Sequence, residues 1–267
     1  MPATDAPGAD DMDYRERYAY TLGVQAYVYG FPWVYLPSLR YMWVTQPVDP
    51  RMTPYAPVNQ FWHGRVLADA SWREGGCPNN DTLYSIAWLN VGDEPVILSV
   101  PDMGDRYFSF LLGCMDSDNL AYVGARVTGA EGGDFAIVGP DWSGEVPDGV
   151  TAVEPSRTPW VLMIGRTLVD GPDDLAAVGD IQDQYRLTPL NAWGNPDYEP
   201  VEDRDVWAPW NRKTDPLADW RTINRAMTEN PPESRHEQLL GLFATIGVGP
   251  VSYTHLTLPT TCRVCGS

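Results

Sequence analysis

Between Asn59 and about Gly165 the chain carries five short β-rich runs: LYSIAWLN, PVILSV, RYFSFLL, FAIVG and PWVLMIG. Turn-forming stretches such as VGDE, PDMGD, GAEGGD and PDG separate them, and Gly, Pro, Asp and Asn each close a turn for their own steric or hydrogen-bonding reason. LYSIAWLN alternates polar and apolar residues, as a half-buried strand should. A segment punctuated this closely has no room for a long helix. Its short strands at near-regular spacing predict an antiparallel β-sandwich.

Helical periodicity flanks this region on both sides. A helix is expected from near Asp13, with Tyr14, Tyr18, Leu22, Ala26 and Tyr29 as its buried stripe. Gly30 and Pro32 end or kink it, and VYLPSLRYMWV resumes as a second short helix. Prolines mark a loop from Gln46 to Pro57. Downstream, GPDDLAAVGDIQDQYRL, TDPLADWRTINRAMTEN and PESRHEQLLGLFATIG read as three further helices, two of them opening on proline and carboxylates. The expected class is therefore α+β, divided into a tail and helical segment over 1–58, a β-sandwich over 59–168, and a helical segment over 169–250.

Residues 251–267, VSYTHLTLPTTCRVCGS, form a fourth segment that we read as artefactual. VSYTHLTLPT back-translates to a transposase adapter used in sequencing libraries, so the natural frame is expected to depart near Pro250. The CRVC pair, Cys262 and Cys265, falls in that tail and is not weighed as a zinc or redox motif. Of the four cysteines, Cys77 and Cys114 remain, and a chain of 267 residues needs no disulfides to fold. With 36 acidic residues, 18 Lys and Arg and a formal charge of −18, the chain repels phosphate backbones and anionic membranes. No nucleic-acid or membrane partner is expected. MPATDAPGADDMD lacks the basic and apolar regions of a secretory signal, which leaves the cytoplasm as the default location.

Three polar clusters stand out. CPNNDTLYS places Asn80, Asp81, Thr82 and Tyr84 where a tight turn feeds a strand, either as a structural turn or as ligand-facing groups at a sandwich rim. PDMGDRYFSF brings Asp102, Arg106 and Tyr107 together, and the arginine serves either a structural ion pair or the grip on a substrate carboxylate. MDSDNLAYVGAR offers Asp116, Asp118 and Asn119 as hard oxygen ligands, but it lacks the later glutamate of a calcium loop, so no metal is expected. His63 and His236 are distant in sequence and form no transition-metal set. GxSxG, HExxH, Walker A and GxGxxG motifs are all absent, and no cofactor is expected.

In this order, AYVYGFPWVY, VNQFWHGRVL, PNNDTLYSIAWLNVGDEPVILSVPD, DRYFSF, AIVGPDWSGEVPDGV and PSRTPWVLMIGRTLVDGPDDLAAVGDIQDQYRLTPL resemble the bacterial family called domain of unknown function 1254. The resemblance covers roughly Tyr14 to Pro250. It implies an immunoglobulin-like antiparallel sandwich flanked by N-terminal and C-terminal helices. It also implies a downstream jelly-roll-like domain, called domain of unknown function 1214, that this chain would have lost by truncation. Members often look exported. The family implies no settled activity. The residues that match its motifs are Asn80, Asp81, Thr82, Tyr84, Asp102, Arg106, Tyr107, Asp116, Asn119, Arg126 and Arg166.

Two functions follow as expectations. The first is a metal-independent enzyme, hydrolase or lyase in type, acting on a small polar or anionic organic molecule. Asp81 or Asp116 would be its acid–base, Arg106, Arg126 or Arg166 would hold the anionic group, and Tyr84 or Tyr107 would donate protons or hydrogen bonds. Asp81, Asp116, Tyr84 and Arg106 form the catalytic shortlist; Asn80, Thr82, Asp102, Tyr107, Asn119, Arg126 and Arg166 form the ligand-binding shortlist. The second is a non-catalytic ligand-binding or interaction module, with homo-oligomerisation as a further expectation.

Overall fold

The computed structural model describes residues 13–47, 53–72 and 78–250. Both the acidic N-terminal stretch and the CRVC tail lie outside the described residues. The described chain divides into two compact units, one from residues 13–35 and 209–250 and the other from Leu36–Ala208.

The first unit is helical. Its α1, Tyr14–Gly30, starts where Asp13 caps it: the Asp13 carboxylate accepts from the Arg15 and Glu16 amides while Glu16 reaches back to the Asp13 amide. This reciprocal capping satisfies N–H groups that the first turn cannot pair internally. Helix α2, Pro32–Thr45, follows after Phe31 and passes from the first unit into the second between Tyr35 and Leu36. Helices α4, Ala218–Glu229, and α5, Glu237–Ala244, complete the unit. Leu22, Ala26 and Gly30 are the buried face of α1. At Gly30 an added Cβ would lie 2.9 Å from Ile223 Cδ1, so the two helices meet where one has no side chain. The expected stripe holds at Leu22 and Ala26 but not at Tyr14 and Tyr18, which are exposed.

The second unit is built on two sheets. Strands β1 (Trp62–His63), β2 (Thr82–Asn90), β4 (Phe108–Cys114), β5 (Asn119–Gly124) and β8 (Trp160–Leu168) make one of them, in the order β1-β2-β8-β4-β5. Strands β3 (Val96–Val100), β6 (Gly133–Ile137), β7 (Val150–Ala152) and β9 (Arg186–Pro189) make the other, in the order β7-β6-β3-β9. Every pairing is antiparallel except β6 with β7, which is parallel. The five predicted strands are all present. Among the described residues the fold is α+β, with five α-helices, counting α3 (Leu175–Gln182), and no closed barrel.

The two sheets share one core. Ala87, Leu89, Phe108, Phe110, Leu112 and Met163 from the larger sheet pack with Val96, Leu98, Phe135, Ile137 and Leu187 from the smaller. The outer face of the larger sheet is partly covered by a second cluster, in which Leu36, Leu39 and Trp43 of α2 meet Trp62, Ile86, Trp88, Trp160 and Leu162. Arg40 is fully buried there, its guanidinium 4.0 Å above the Trp160 ring. A buried cation is tolerated because the aromatic face replaces part of its hydration. Among the described residues, α2 packs on the Ile86 and Trp88 end of this face, Trp72 packs on Tyr84 with ring centroids 6.2 Å apart, and several of the shortlisted residues lie on the same face.

Candidate functional site

Alternate residues of a strand point to opposite faces. In β2, Ala87 and Leu89 enter the shared core, whereas Ile86 and Trp88 join the outer cluster. Thr82 and Tyr84 therefore belong to the outer face, as do Leu162, Ile164 and Arg166 of β8. The register then lays out rows across the sheet. Trp88 pairs with Leu162, Leu162 with Gly113, and Gly113 with Asn119. The next row runs Ile86, Ile164, Leu111, Tyr122. The one after it runs Tyr84, Arg166, Ser109, Gly124. Tyr107 continues this face beyond Ser109, and its carbonyl accepts the Leu168 amide at 3.0 Å.

Arg166 is the centre of this surface. Its guanidinium lies 5.5 Å from the centroid of the Tyr84 ring. Across the strand from it, Ser109 is short and Gly124 has no room for a side chain: a Cβ there would lie 2.6 Å from the Phe108 carbonyl. The floor beside Arg166 is thus low, with Tyr84, Tyr107 and Tyr122 around it. The Arg126 guanidinium sits 5.4 Å from the Tyr107 ring, and the Asn119 amide donates to the Tyr122 hydroxyl at 2.9 Å. The fold therefore gathers Thr82, Tyr84, Tyr107, Asn119, Arg126 and Arg166 on or beside one sheet face.

Asn79, absent from the sequence shortlist, organises the turn that presents Tyr84. Its backbone and side-chain amides donate to the Tyr84 hydroxyl at 3.0 and 3.1 Å. Its side-chain carbonyl accepts from the Thr82 amide at 2.9 Å and the Thr82 hydroxyl at 2.8 Å. The signal was present in PNND, since an Asn after proline closes turns with its own side chain. With two donors already directed at its oxygen, the Tyr84 hydroxyl has its proton left to give.

The remaining shortlisted residues lie elsewhere. Asn80 and Asp81 are exposed on the turn itself. Asp102 accepts from the Gly104 amide at 2.9 Å and closes a turn. Arg106 places both arms of its fork on Asp174, at 2.5 and 2.9 Å, and also donates to the Leu168 carbonyl at 2.7 Å. The arginine holds the Asp174 carboxyl below the usual carboxylate range. Asp116 and Asp118 both face Arg157, at 3.2 and 3.1 Å. Arg106 precedes β4 and Asp116 follows it, so a strand of roughly 20 Å separates them. Asp116 and Arg106 are not brought together around one small molecule.

A second polar cluster lies on the inner side. His63 Nδ1 is 2.9 Å from Ser85 Oγ, and the Gln182 side chain donates to Ser85 Oγ at 3.1 Å and to the Tyr84 carbonyl at 3.0 Å. Arg65 holds Gln182 Oε1 at 3.2 Å and the Gly179 carbonyl at 2.7 Å, and pairs with Asp183. Burial pushes the His63 pKa down to about 4 and that of Tyr185, whose hydroxyl meets Thr167 at 2.8 Å, up to about 12. A serine bonded to histidine has the outline of a nucleophile and its base. Ser85, however, has no accessible surface, so the pair ties β1, β2 and α3 together rather than meeting a substrate.

Residues 58–189, which contain both sheets apart from their connecting turns to the helices, match the model of the family described as "Protein of unknown function (DUF1254)". These residues are a DUF1254 domain. The DUF1254 domain and its flanks are similar in structure to the VPA0106 protein from Vibrio parahaemolyticus. The identity is 26%, the TM-score 0.66, and the alignment covers 87% of this chain and 52% of that one. The present chain thus spans about half the length of that relative. An uncharacterized protein from Burkholderia cenocepacia aligns at 13% identity and a TM-score of 0.33, over 85% of this chain and 59% of that one. No curated protein matches the sequence. Among the described residues, no helix is long and apolar enough to cross a membrane.

Proposed function

We propose that this protein binds a small anionic organic molecule on the outer face of its larger sheet, around Arg166. Arg166 grips a carboxylate or phosphate of the ligand, and the Tyr84 hydroxyl donates beside it. Arg126 with Tyr107, and Tyr122 with Asn119, border the same surface. The single observation that carries this reading is a contrast among arginines. Arg65, Arg106, Arg157, Arg204, Arg212, Arg221 and Arg235 each pair with a carboxylate. Arg126 and Arg166 each lie against a tyrosine ring with no described carboxylate on them, and of these two Arg166 is the half-buried one, set between Tyr84 and Ser109. Leaving a planar fork without an anion in a chain of net charge −18 is costly unless the fork has another use.

Binding is favoured over catalysis because the shortlisted acid–base groups do not converge on Arg166. Asp116 is engaged by Arg157, and Asp81 lies on the exposed turn before β2. The two sheets sharing one core support reading the domain as an immunoglobulin-like sandwich, a scaffold that commonly presents ligands from its faces and loops. Calorimetric titration with a panel of small carboxylates and phosphates tests the proposal. At least one should bind, and Arg166→Ala should weaken it at least tenfold, about 1.4 kcal/mol or more. Binding that survives Arg166→Ala contradicts the reading, as does turnover of a bound ligand that Asp81→Asn abolishes.

A further inference from the structure

Helix α1 has two apolar stripes, and its own unit uses one of them. Leu22, Ala26 and Gly30 are buried. On the opposite side, Tyr20, Val24, Val28, Phe31 and Tyr35 recur at intervals of four and three residues and are 65%, 51%, 71%, 46% and 42% exposed. At 100° per residue they fall within an arc of about 80°, and the stripe is roughly 22 Å long. The helical path is continuous through the junction with α2, since the Val34 and Tyr35 amides both bond to the Phe31 carbonyl, at 3.0 and 2.9 Å. Phe31 and Tyr35 stack on each other with centroids 6.0 Å apart. A helix apolar on both sides is ordinarily covered on both sides.

We infer that a second copy of this chain docks on the stripe Tyr20, Val24, Val28, Phe31 and Tyr35, α1 against α1 in an antiparallel, two-fold contact. Two quantities favour a second copy. The first is area. The exposed fractions of three aromatic and two valine side chains amount to roughly 500 Å² of apolar surface, taking about 150–250 Å² for each aromatic. A two-fold contact doubles this to roughly 1,000 Å², the threshold for a specific interface, before flanking residues are counted. The second is charge. From Tyr18 to Leu39 the sequence has no charged residue, in a chain whose formal charge is −18. Two copies repel one another over most of their surfaces and can approach closely where charge is missing. Two-fold symmetry centres the contact near Val24 and Val28 and places Tyr20 of one copy against Phe31 and Tyr35 of the other. Antiparallel helices also set their dipoles favourably.

Sedimentation equilibrium of the full 267-residue chain tests the inference, alongside Val28→Glu and the double variant Val24→Glu/Val28→Glu. Glutamate is a good helix former, and both positions are exposed, so the fold should survive, as an unchanged far-ultraviolet spectrum and melting of the variant monomer would show. The expected result is a dimer that loses at least tenfold in affinity with one glutamate and is monomeric with two. A monomeric parent chain, up to about 100 μM, overturns the proposal and gives the stripe to a different chain. A dimer that both variants retain, or association without a fixed stoichiometry, overturns it equally.

Discussion

Arg166 and Arg106 are both half-buried arginines beside strands of one sheet, yet they do different things. Arg106 has a carboxylate and a backbone carbonyl on its fork, whereas Arg166 has an aromatic ring. Sequence alone could not separate them, because Asp174 is 68 residues from Arg106 and is brought to it only by the return of the chain after β8. His63 shows the same limit. It reads as a lone histidine, but burial holds its folded pKa at about 4, below the ordinary 6.5. The unfolded chain therefore takes up this proton first as pH falls. The associated stability, about 3 kcal/mol, is fully present above pH 6.5 and is lost as pH drops towards 4. Urea unfolding at pH 7 and pH 5 should show this loss, and His63→Gln should reduce the slope. Equal slopes in the two proteins would remove His63 from the account.

Among the elements, the strands that were legible were those with continuous apolar or alternating runs, namely β2, β3, β4, β6 and β8. The missed ones explain themselves. Strand β5 follows the carboxylate-rich MDSD, opens on exposed Asn119 and exposes Tyr122, so it reads as part of a polar cluster, and β9 is four residues at the end of a segment with helical periodicity. In α1 the expected stripe meets the core at Leu22 and Ala26, but periodicity carried it on to Tyr14 and Tyr18, which are exposed. The buried face is set where α1 comes closest to α4, at Gly30 against Ile223. The outer face of the larger sheet was legible only as a collection of candidates, since register and not spacing sets Tyr84, Arg166 and Ser109 side by side. The Arg106–Asp174 pair belongs to this scale, because it joins the start of β4 to the turn before α3. Arg106→Ala should cost about 1–2 kcal/mol in unfolding free energy, as expected for a partly buried, bidentate pair, and should leave anion affinity unchanged. A loss of binding without loss of stability would return Arg106 to the ligand site.

For the whole molecule, the dominant quantity is the net charge of −18. An acidic protein that associates through an uncharged helix face works against its own field, and salt weakens that field more than it weakens apolar contact. The dimer should therefore tighten between 50 and 300 mM NaCl, by a few-fold in dissociation constant. Dissociation by salt would point instead to an ion-paired interface. The same field repels a small anion at long range, so recognition at Arg166 has to be local, through the guanidinium fork, the Tyr84 hydroxyl and the low floor of Ser109 and Gly124.

That local recognition is the central claim, and the guanidinium Nε–H resonance of Arg166 reports on it directly. It can be assigned by its disappearance in Arg166→Lys and followed by nitrogen-15 correlation spectroscopy during titration with the best-bound carboxylate or phosphate. The account predicts a saturable shift of this resonance at the ligand's own dissociation constant, with the Arg106 resonance unmoved and affinity at least tenfold weaker in the lysine variant. A ligand that binds while the Arg166 resonance stays in place would contradict it.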